Sequence, residues 1–255
     1  MASKAEPEAL DFLGQRLDCT QCECHLKVNC QLGYACVHDR YAPRIDRFFH
    51  LNPGWAKRYL DHPYFETRAV AAKYVEVFKL PSLLNDPDET VRRQVAARLP
   101  INSKHLKALI GDPHREVRIR VAERLKPEDL TLLIADPDYY VRQIVAKRLP
   151  PGQLVPMLHD PDSEVRRTVA SRIAPRWLEA LIRDPEPKVR LEVARRLDPG
   201  RLKAMSQDPD WRVRYEVACR LDHQELSAMQ QDPEPAVREL VHQRLTNPDA
   251  LPQAC

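Results

Sequence analysis

The sequence predicts an all-α protein, a solenoid of alternating α and 3₁₀ helices preceded by a small N-terminal cysteine-rich domain. Three observations carry this. Seven Asp-Pro dipeptides recur in register, spaced 26 residues once and 24 residues five times. Five of the seven cysteines fall between Cys19 and Cys36. No segment alternates apolar and polar residues over the length of a strand, so a β architecture has no support.

The repeats begin at Asp86, Asp112, Asp136, Asp160, Asp184, Asp208 and Asp232, and His62-Pro63 stands 24 residues before Asp86-Pro87, giving eight units over residues 62–250. Numbered from that first residue, position 2 is Pro and position 7 is Arg in all eight. Position 6 is Val, position 10 Val, position 11 Ala and position 13 Arg in seven each. The opening reads as a helix N-terminus: Asp caps free N–H groups, and Pro suits the first turn because its missing N–H has no partner there anyway. Positions 6, 10 and 14 then form an apolar stripe on a helix of about 12 residues. Prolines at positions 15 and 16, such as Pro100, Pro127, Pro150, Pro175 and Pro199, close it. The remainder is too short for a second ordinary helix, and its leucines stand three apart (Leu130 and Leu133, Leu178 and Leu181), the period of a 3₁₀ turn. Neither piece can bury its apolar face alone, so consecutive units must stack.

This unit resembles the leucine-rich repeat variant family rather than ordinary leucine-rich repeats, whose LxxLxLxxN strand signature is absent. The Asp…Val-Arg portion also resembles HEAT repeats, but those need roughly 40 residues for two full helices. The resemblance implies a right-handed superhelix of alternating α and 3₁₀ helices.

The arginines at position 7 (Arg68, Arg92, Arg118, Arg142, Arg166, Arg190, Arg214, Arg238) fall inside the apolar arc of the helical wheel. A charge there must be paired. The expected partner is the position-1 Asp of the same or an adjacent unit, whose carboxylate has acceptor sites enough to cap and pair together. A ligand-binding arginine row is the alternative, chiefly for position 13.

The cysteine-rich domain spans residues 1–40 and reads Cys19-Thr-Gln-Cys22-Glu-Cys24, then Cys30, then Cys36, while Cys219 and Cys255 lie far away. Clustered thiols in a reducing compartment indicate metal binding before disulfides. Structural zinc usually recruits two Cys-x-x-Cys knuckles, and here there is one. The regular ferredoxin spacings are absent too. Looser spacing suits a larger object, so the residues favour an iron–sulfur cluster, with zinc or redox thiols as alternatives. A cysteine-rich N-terminus followed by variant repeats is similar to the family whose small N-terminal domain carries a 4Fe–4S cluster. That resemblance implies a 4Fe–4S cofactor on four of the five thiols. Cys19, Cys22, Cys30 and Cys36 are the expected ligands, because Cys24, so close to Cys22, would strain the wrap; Cys24 in place of Cys22 or Cys30 is the alternative. His25 and His38 are expected to be solvated surface histidines.

Residues 41–61 read as a capping helix and linker: Ile45, Phe48 and Phe49 share a helical face, and Asn52-Pro53-Gly54-Trp55 fits a turn. Arg40, Arg44 and Arg47 would offset the negative charge of a thiolate-bound cluster. Residues 251–255 form a C-terminal tail.

Function classes narrow quickly. The six glycines stand apart, so no phosphate-cradling loop exists. No GxSxG or HExxH occurs, and no enzymatic activity is expected. A net charge of +3 makes nucleic acid an unlikely partner and a protein partner the expected one. No apolar run is long enough to span a membrane, and the N-terminus lacks a signal-peptide core, so a cytoplasmic location is expected. The leading expectation is electron transfer or redox sensing through protein–protein interaction, with a structural scaffold stapled by its metal, or a nucleic-acid-binding solenoid, as alternatives. The resemblance implies bacterial proteins linked to nitrogen metabolism, with no activity to carry over.

Overall fold

The computed structural model describes residues 10–247; its regular elements are helices, with three isolated β-bridges and no strand among the described residues. The tail with Cys255 lies outside the described residues. The chain divides into two compact units, residues 1–126 and 127–255.

In the first unit, α1 (Glu23–Lys27) lies within the cysteine-rich segment, and α2 (Ala42–Leu51) follows it. Ile45, Phe48 and Phe49 are fully buried, and α2 packs on α3 (Phe65–Tyr74), the first repeat helix. Asp46 of α2 accepts hydrogen bonds from Lys73 Nζ at 2.6 Å and Tyr74 OH at 3.1 Å. Two more repeats follow, built on α4 (Glu89–Arg98) and α6 (Arg115–Arg124) with the short α5 (Lys104–Ala108) between them, and 3₁₀ helices at Val77–Leu83 and Leu109–Gly111.

The second unit repeats the scheme with α7 (Tyr139–Arg148), α8 (Ser163–Arg172), α9 (Pro187–Arg196), α10 (Trp211–Arg220), the short α11 (His223–Leu226) and α12 (Pro235–Thr246). Within it, the main α-helices of consecutive repeats lie side by side. The stripe at positions 6, 10 and 14 is the core: Val165, Val169 and Ile173 are fully buried, as are Val189 and Val193. The 3₁₀ leucines Leu130 and Leu178 close it from the other side. Each such aliphatic side chain contributes about 1.5–3 kcal/mol when buried.

The helix start differs from the expected one. The main α-helices run from position 4 to position 13, ten residues in α4, α6, α7 and α8, and the cap is position 3. Asp88 accepts from Thr90 N at 2.8 Å, and Asp138 accepts from Tyr140 N at 2.9 Å. The position-1 Asp instead receives the N–H of position 3, as in Asp88 N to Asp86 Oδ1 at 2.9 Å. Pro at position 2 thus precedes the cap rather than occupying the first turn, where Pro187 and Pro235 stand in α9 and α12. Pro127, Pro175 and Pro199 do not close the preceding helix either; each is the first residue of a 3₁₀ helix. Both readings use the same property, a ring that needs no N–H partner.

The position-7 arginines form the ladder expected of them, always toward the next unit where the pair lies within one half of the chain. Arg92 donates Nε and NH2 to both oxygens of Asp112 at 2.7 and 3.0 Å, and its NH1 to the carbonyls of Asp86 and Pro87 at 2.7 and 3.1 Å. Arg142 repeats this with Asp160, Arg190 with Asp208 and Arg214 with Asp232. Position 13 is engaged within the fold as well. Arg98 donates NH1 to the carbonyls of Ala72 and Val75 at 2.7 and 2.5 Å, and Arg172 to those of Ala146 and Leu149 at 2.6 and 2.9 Å. These carbonyls sit at the end of the preceding α-helix, where four have no intrahelical donor and a cation suits the negative end of the dipole.

Candidate metal centre

The segment between Leu10 and Tyr41 has little regular structure, and its shape rests on a few local devices. Gly14 and Gly33 are the described residues with positive φ, 80° and 70°. At Gly33 this conformation lets Gln31 and Ala35 exchange two backbone hydrogen bonds of 2.8 Å, closing the loop that carries Cys30 and Cys36 at its two ends. This places Cys30 and Cys36 where their thiols interact. Cys22 is the residue before α1 and Cys24 lies within its first turn.

Long-range contacts then press the segment onto α2 and α3. Asn52 and Asn29 bond reciprocally, at 2.9 Å from Asn52 Nδ2 and 3.2 Å to Asn52 Oδ1. Thr67 Oγ1 donates to Val37 O at 3.3 Å, and Tyr64 OH to Arg40 O at 3.0 Å. Phe12 stacks on Tyr64 with ring centroids 5.0 Å apart.

All four expected ligands, Cys19, Cys22, Cys30 and Cys36, lie in this corner as free thiols, together with Cys24. Cys24 and Cys36 are the buried members, 1% and 3% exposed. Cys22, Cys24 and His38 place a ligand atom each within 4.8 Å of one another. Cys24 is therefore not set aside by the fold. Its sulfur lies 3.0 Å from Tyr59 OH. His38 also differs from expectation: it is half-buried, with Tyr59 and His62 ring centroids at 6.0 and 5.9 Å, whereas His25 is exposed as expected. The sequence reading missed Tyr59 and His38. The Cys36-x-His38 spacing was a signal for one of them; nothing local links Cys24 to Tyr59, 35 residues later.

The electrostatics of the corner favour an anionic sulfur at one end. The hydrogen bond from Cys30 holds the Cys36 thiol down at about 7 against its burial, and the backbone N–H groups of His38 and Asp39 add to it. Cys30, as the donor, is shifted strongly upward. Burial pushes Cys24 up to about 11, and burial likewise raises Cys19. Burial lowers the His38 imidazole, keeping it neutral and able to accept or ligate. The nearby arginines are partly engaged: Arg44 pairs with Asp39 at 2.9 Å, Arg47 donates to Tyr34 O at 2.8 Å, and Arg40 donates to Tyr41 OH at 3.0 Å.

Five thiols without a disulfide among them, amide donors directed at one sulfur and a neutral imidazole alongside form a soft donor set. The fold and this site define an all-helical repeat protein with an N-terminal cysteine-rich domain suited to a soft metal. Comparison with known proteins agrees. The family model for the LRV protein FeS4 cluster matches residues 9–58, and that for the leucine rich repeat variant matches residues 139–162 and 187–210. A solved structure described as a leucine-rich repeat variant with a novel repetitive protein structural motif is 42% identical, with a TM-score of 0.85, covering 90% of this chain and 99% of its own. The chain belongs to the leucine-rich repeat variant family. An uncharacterized 27.7 kDa protein from the nifB 3' region of Rhodobacter capsulatus is 50% identical over 97 residues, which span 37% of this chain and 40% of that protein. Among the described residues no helix is long and apolar enough to cross a membrane.

Proposed function

We propose that the protein holds a 4Fe–4S cluster on Cys19, Cys22, Cys30 and Cys36 and acts in electron transfer or redox sensing through contact with a partner protein, in the cytoplasm. The observation that carries this reading is the convergence of free thiols in one corner that is buttressed by the first repeat. A bound cluster supplies one-electron chemistry at a potential set by charge, hydrogen bonds to sulfur and exposure. The chain's own contribution is definite. The loop closed at Gly33 brings Cys30 and Cys36 together, the His38 and Asp39 amides stabilise charge on the Cys36 sulfur, and Tyr59 with the α2 aromatics keeps water from the Cys24 side.

Neither enzymatic activity nor nucleic-acid binding is part of this proposal. The arginine rows that would suit phosphates are engaged by aspartates and helix-end carbonyls. Anaerobic purification provides the test. The expected product is brown, with about four irons and four sulfides per chain, and gives a low-spin EPR signal after dithionite. Colourless protein loaded with zinc would overturn the cluster. A cluster that dithionite cannot reduce and mild oxidants cannot alter would overturn the redox role.

A further inference from the structure

The outer side of α2 and the cysteine loop next to it form an exposed surface beside the thiols. Cys30 lines a cavity of about 380 Å³ with Asn29, Gln31, Tyr34, Ala35 and Leu51. Tyr34 is 50% exposed and Leu51 46%. Arg44, Arg47 and Leu51 stand three and four residues apart and so share one side of α2, away from the buried Ile45 and Phe49. Two contacts tie that side to the loop: Cys36 N donates to Arg44 O at 3.3 Å, and Arg47 NH1 to Tyr34 O at 2.8 Å.

The arginines of this surface are held on aromatic rings. Arg47 lies 4.6 Å from the Tyr34 ring centroid, and Arg40 and Arg44 each lie 4.9 Å from that of the exposed Tyr41. Stacking fixes a guanidinium and leaves its edge for an anion. The neighbouring carboxylates are taken: Asp39 is buried against Arg44 at 2.9 Å, Asp46 pairs with Lys73 at 2.6 Å, and Glu23 with Arg58 at 2.9 Å. Arg40 and Arg47 enter no ion pair among the described residues. An apolar, aromatic centre with an unneutralised positive rim is the anatomy of a protein-binding patch.

We propose that a small acidic one-electron carrier protein docks on this face, its carboxylates on Arg40 and Arg47 and its apolar centre on Tyr34 and Leu51. Charge selects the class of partner. A cluster held by four thiolates is anionic and would repel an acidic carrier, and the arginines at the rim reverse the local field. Cys30, which lines the cavity, is then the ligand that faces the carrier. In each encounter the reduced carrier gives up one electron and the cluster gains one, with no proton or group transferred. Stacked arginines lose little freedom on binding. A centre of two side chains keeps the contact small, as suits an electron-transfer complex that must dissociate after each turn. The inference rests on the proposed redox role and adds the partner's chemistry and the face it uses.

The test uses the full chain, purified anaerobically with its cluster, and an acidic flavodoxin as the carrier. Flavodoxin hydroquinone is mixed with the oxidised cluster protein in stopped flow, and binding of oxidised flavodoxin is measured by calorimetry. The transfer rate is expected to fall at least about tenfold from low to physiological salt. Arg47→Glu is expected to slow transfer at low salt by at least about tenfold and to weaken binding comparably. Iron per chain and the EPR spectrum of the dithionite-reduced cluster should stay unchanged. Leu51→Glu, at a side chain outside the Arg47–Tyr34 contact, is expected to act in the same direction and keeps the question open to test if Arg47→Glu disturbs the loop. Arg176→Glu, the same charge change on an exposed residue of the second unit, is expected to leave both readouts within about twofold of the parent. Transfer that ignores salt, or variants as fast and as tight as the parent, would overturn the proposal. So would preferential binding of single-stranded DNA or phosphatidylserine vesicles that Arg47→Glu abolishes. A cluster that dithionite cannot reduce would sink the redox role alone, and the calorimetric comparison would still decide the docking.

Discussion

The cysteine-rich segment and the repeats solve the problem of buried polar groups in opposite ways. In the repeats, buried charges meet within the chain: Arg142 has Asp160, the carbonyl of Asp136 and the carbonyl of Pro137. In the cysteine-rich segment, thiols face thiols, and sulfur is too weak a hydrogen-bond donor for that to be a source of stability. The repeats complete themselves, whereas the N-terminal segment is a donor set that calls for a guest. Damage should therefore separate cleanly, with cysteine substitutions affecting metal content and arginine substitutions affecting folding.

The largest expected effect lies on the metal side. Cys36→Ser should reduce iron per chain at least about tenfold, because it replaces a soft ligand with a hard one, while the far-UV circular dichroism of the repeats is retained. Loss of the helical signal together with the iron would break the proposed separation.

Next is the ladder. Arg142→Ala should cost about 3–5 kcal/mol in urea denaturation, since it leaves the Asp160 carboxylate buried without its partner, with iron per chain unchanged. Arg142→Met combined with Asp160→Leu should recover most of that loss, because desolvation of both charges is then avoided. Unaltered melting of Arg142→Ala would show that the ladder is ornamental.

Acid should act on the repeats through the same carboxylates. Burial alone would raise the Asp232 carboxyl, but the Arg214 hydrogen bond, the Glu234 N–H and the Arg214 and Arg238 charges outweigh it and hold the carboxyl below the ordinary range. Asp210 is held down at about 2, chiefly by its hydrogen bond from Arg212. An acid with a depressed folded pKa contributes stability above its unfolded value, about 3.9, and loses it as pH falls through the folded one. Denaturation midpoints at pH 5 and pH 2.5 should therefore differ, with a smaller difference in Asp232→Asn.

The smallest effects sharpen the boundary between architecture and decoration. Asp138→Ala removes the cap of α7 and should cost about 1 kcal/mol. Phe78, 76% exposed on its 3₁₀ helix, should tolerate Ser within about 0.5 kcal/mol. Both are read from thermal melts monitored by circular dichroism.

Much of this was legible from residue order alone. The stripe of Val91, Val95 and Leu99 falls on the buried face of α4, and Ile45, Phe48 and Phe49 on that of α2, because a helical period is a local property that spacing reports directly. The pairing of position 7 with an Asp followed from the cost of burying a lone charge. Its direction did not: one Asp of the same repeat and one of the next are equally available on paper. The cap at position 3 was hidden behind the more regular Asp at position 1, which the ladder requires for another reason.

The sequence by itself determined the period, the alternation of α and 3₁₀ helices, and the thiol cluster with its soft-metal chemistry. Those depend on residue type and short-range spacing. Tertiary structure alone decided that position-13 arginines seal the ends of the preceding helices and that Tyr59 and His38 join the cysteines. Each of these depends on which distant backbone or side-chain atoms arrive within about 3 Å, and that proximity is created by packing, which spacing along the chain does not encode.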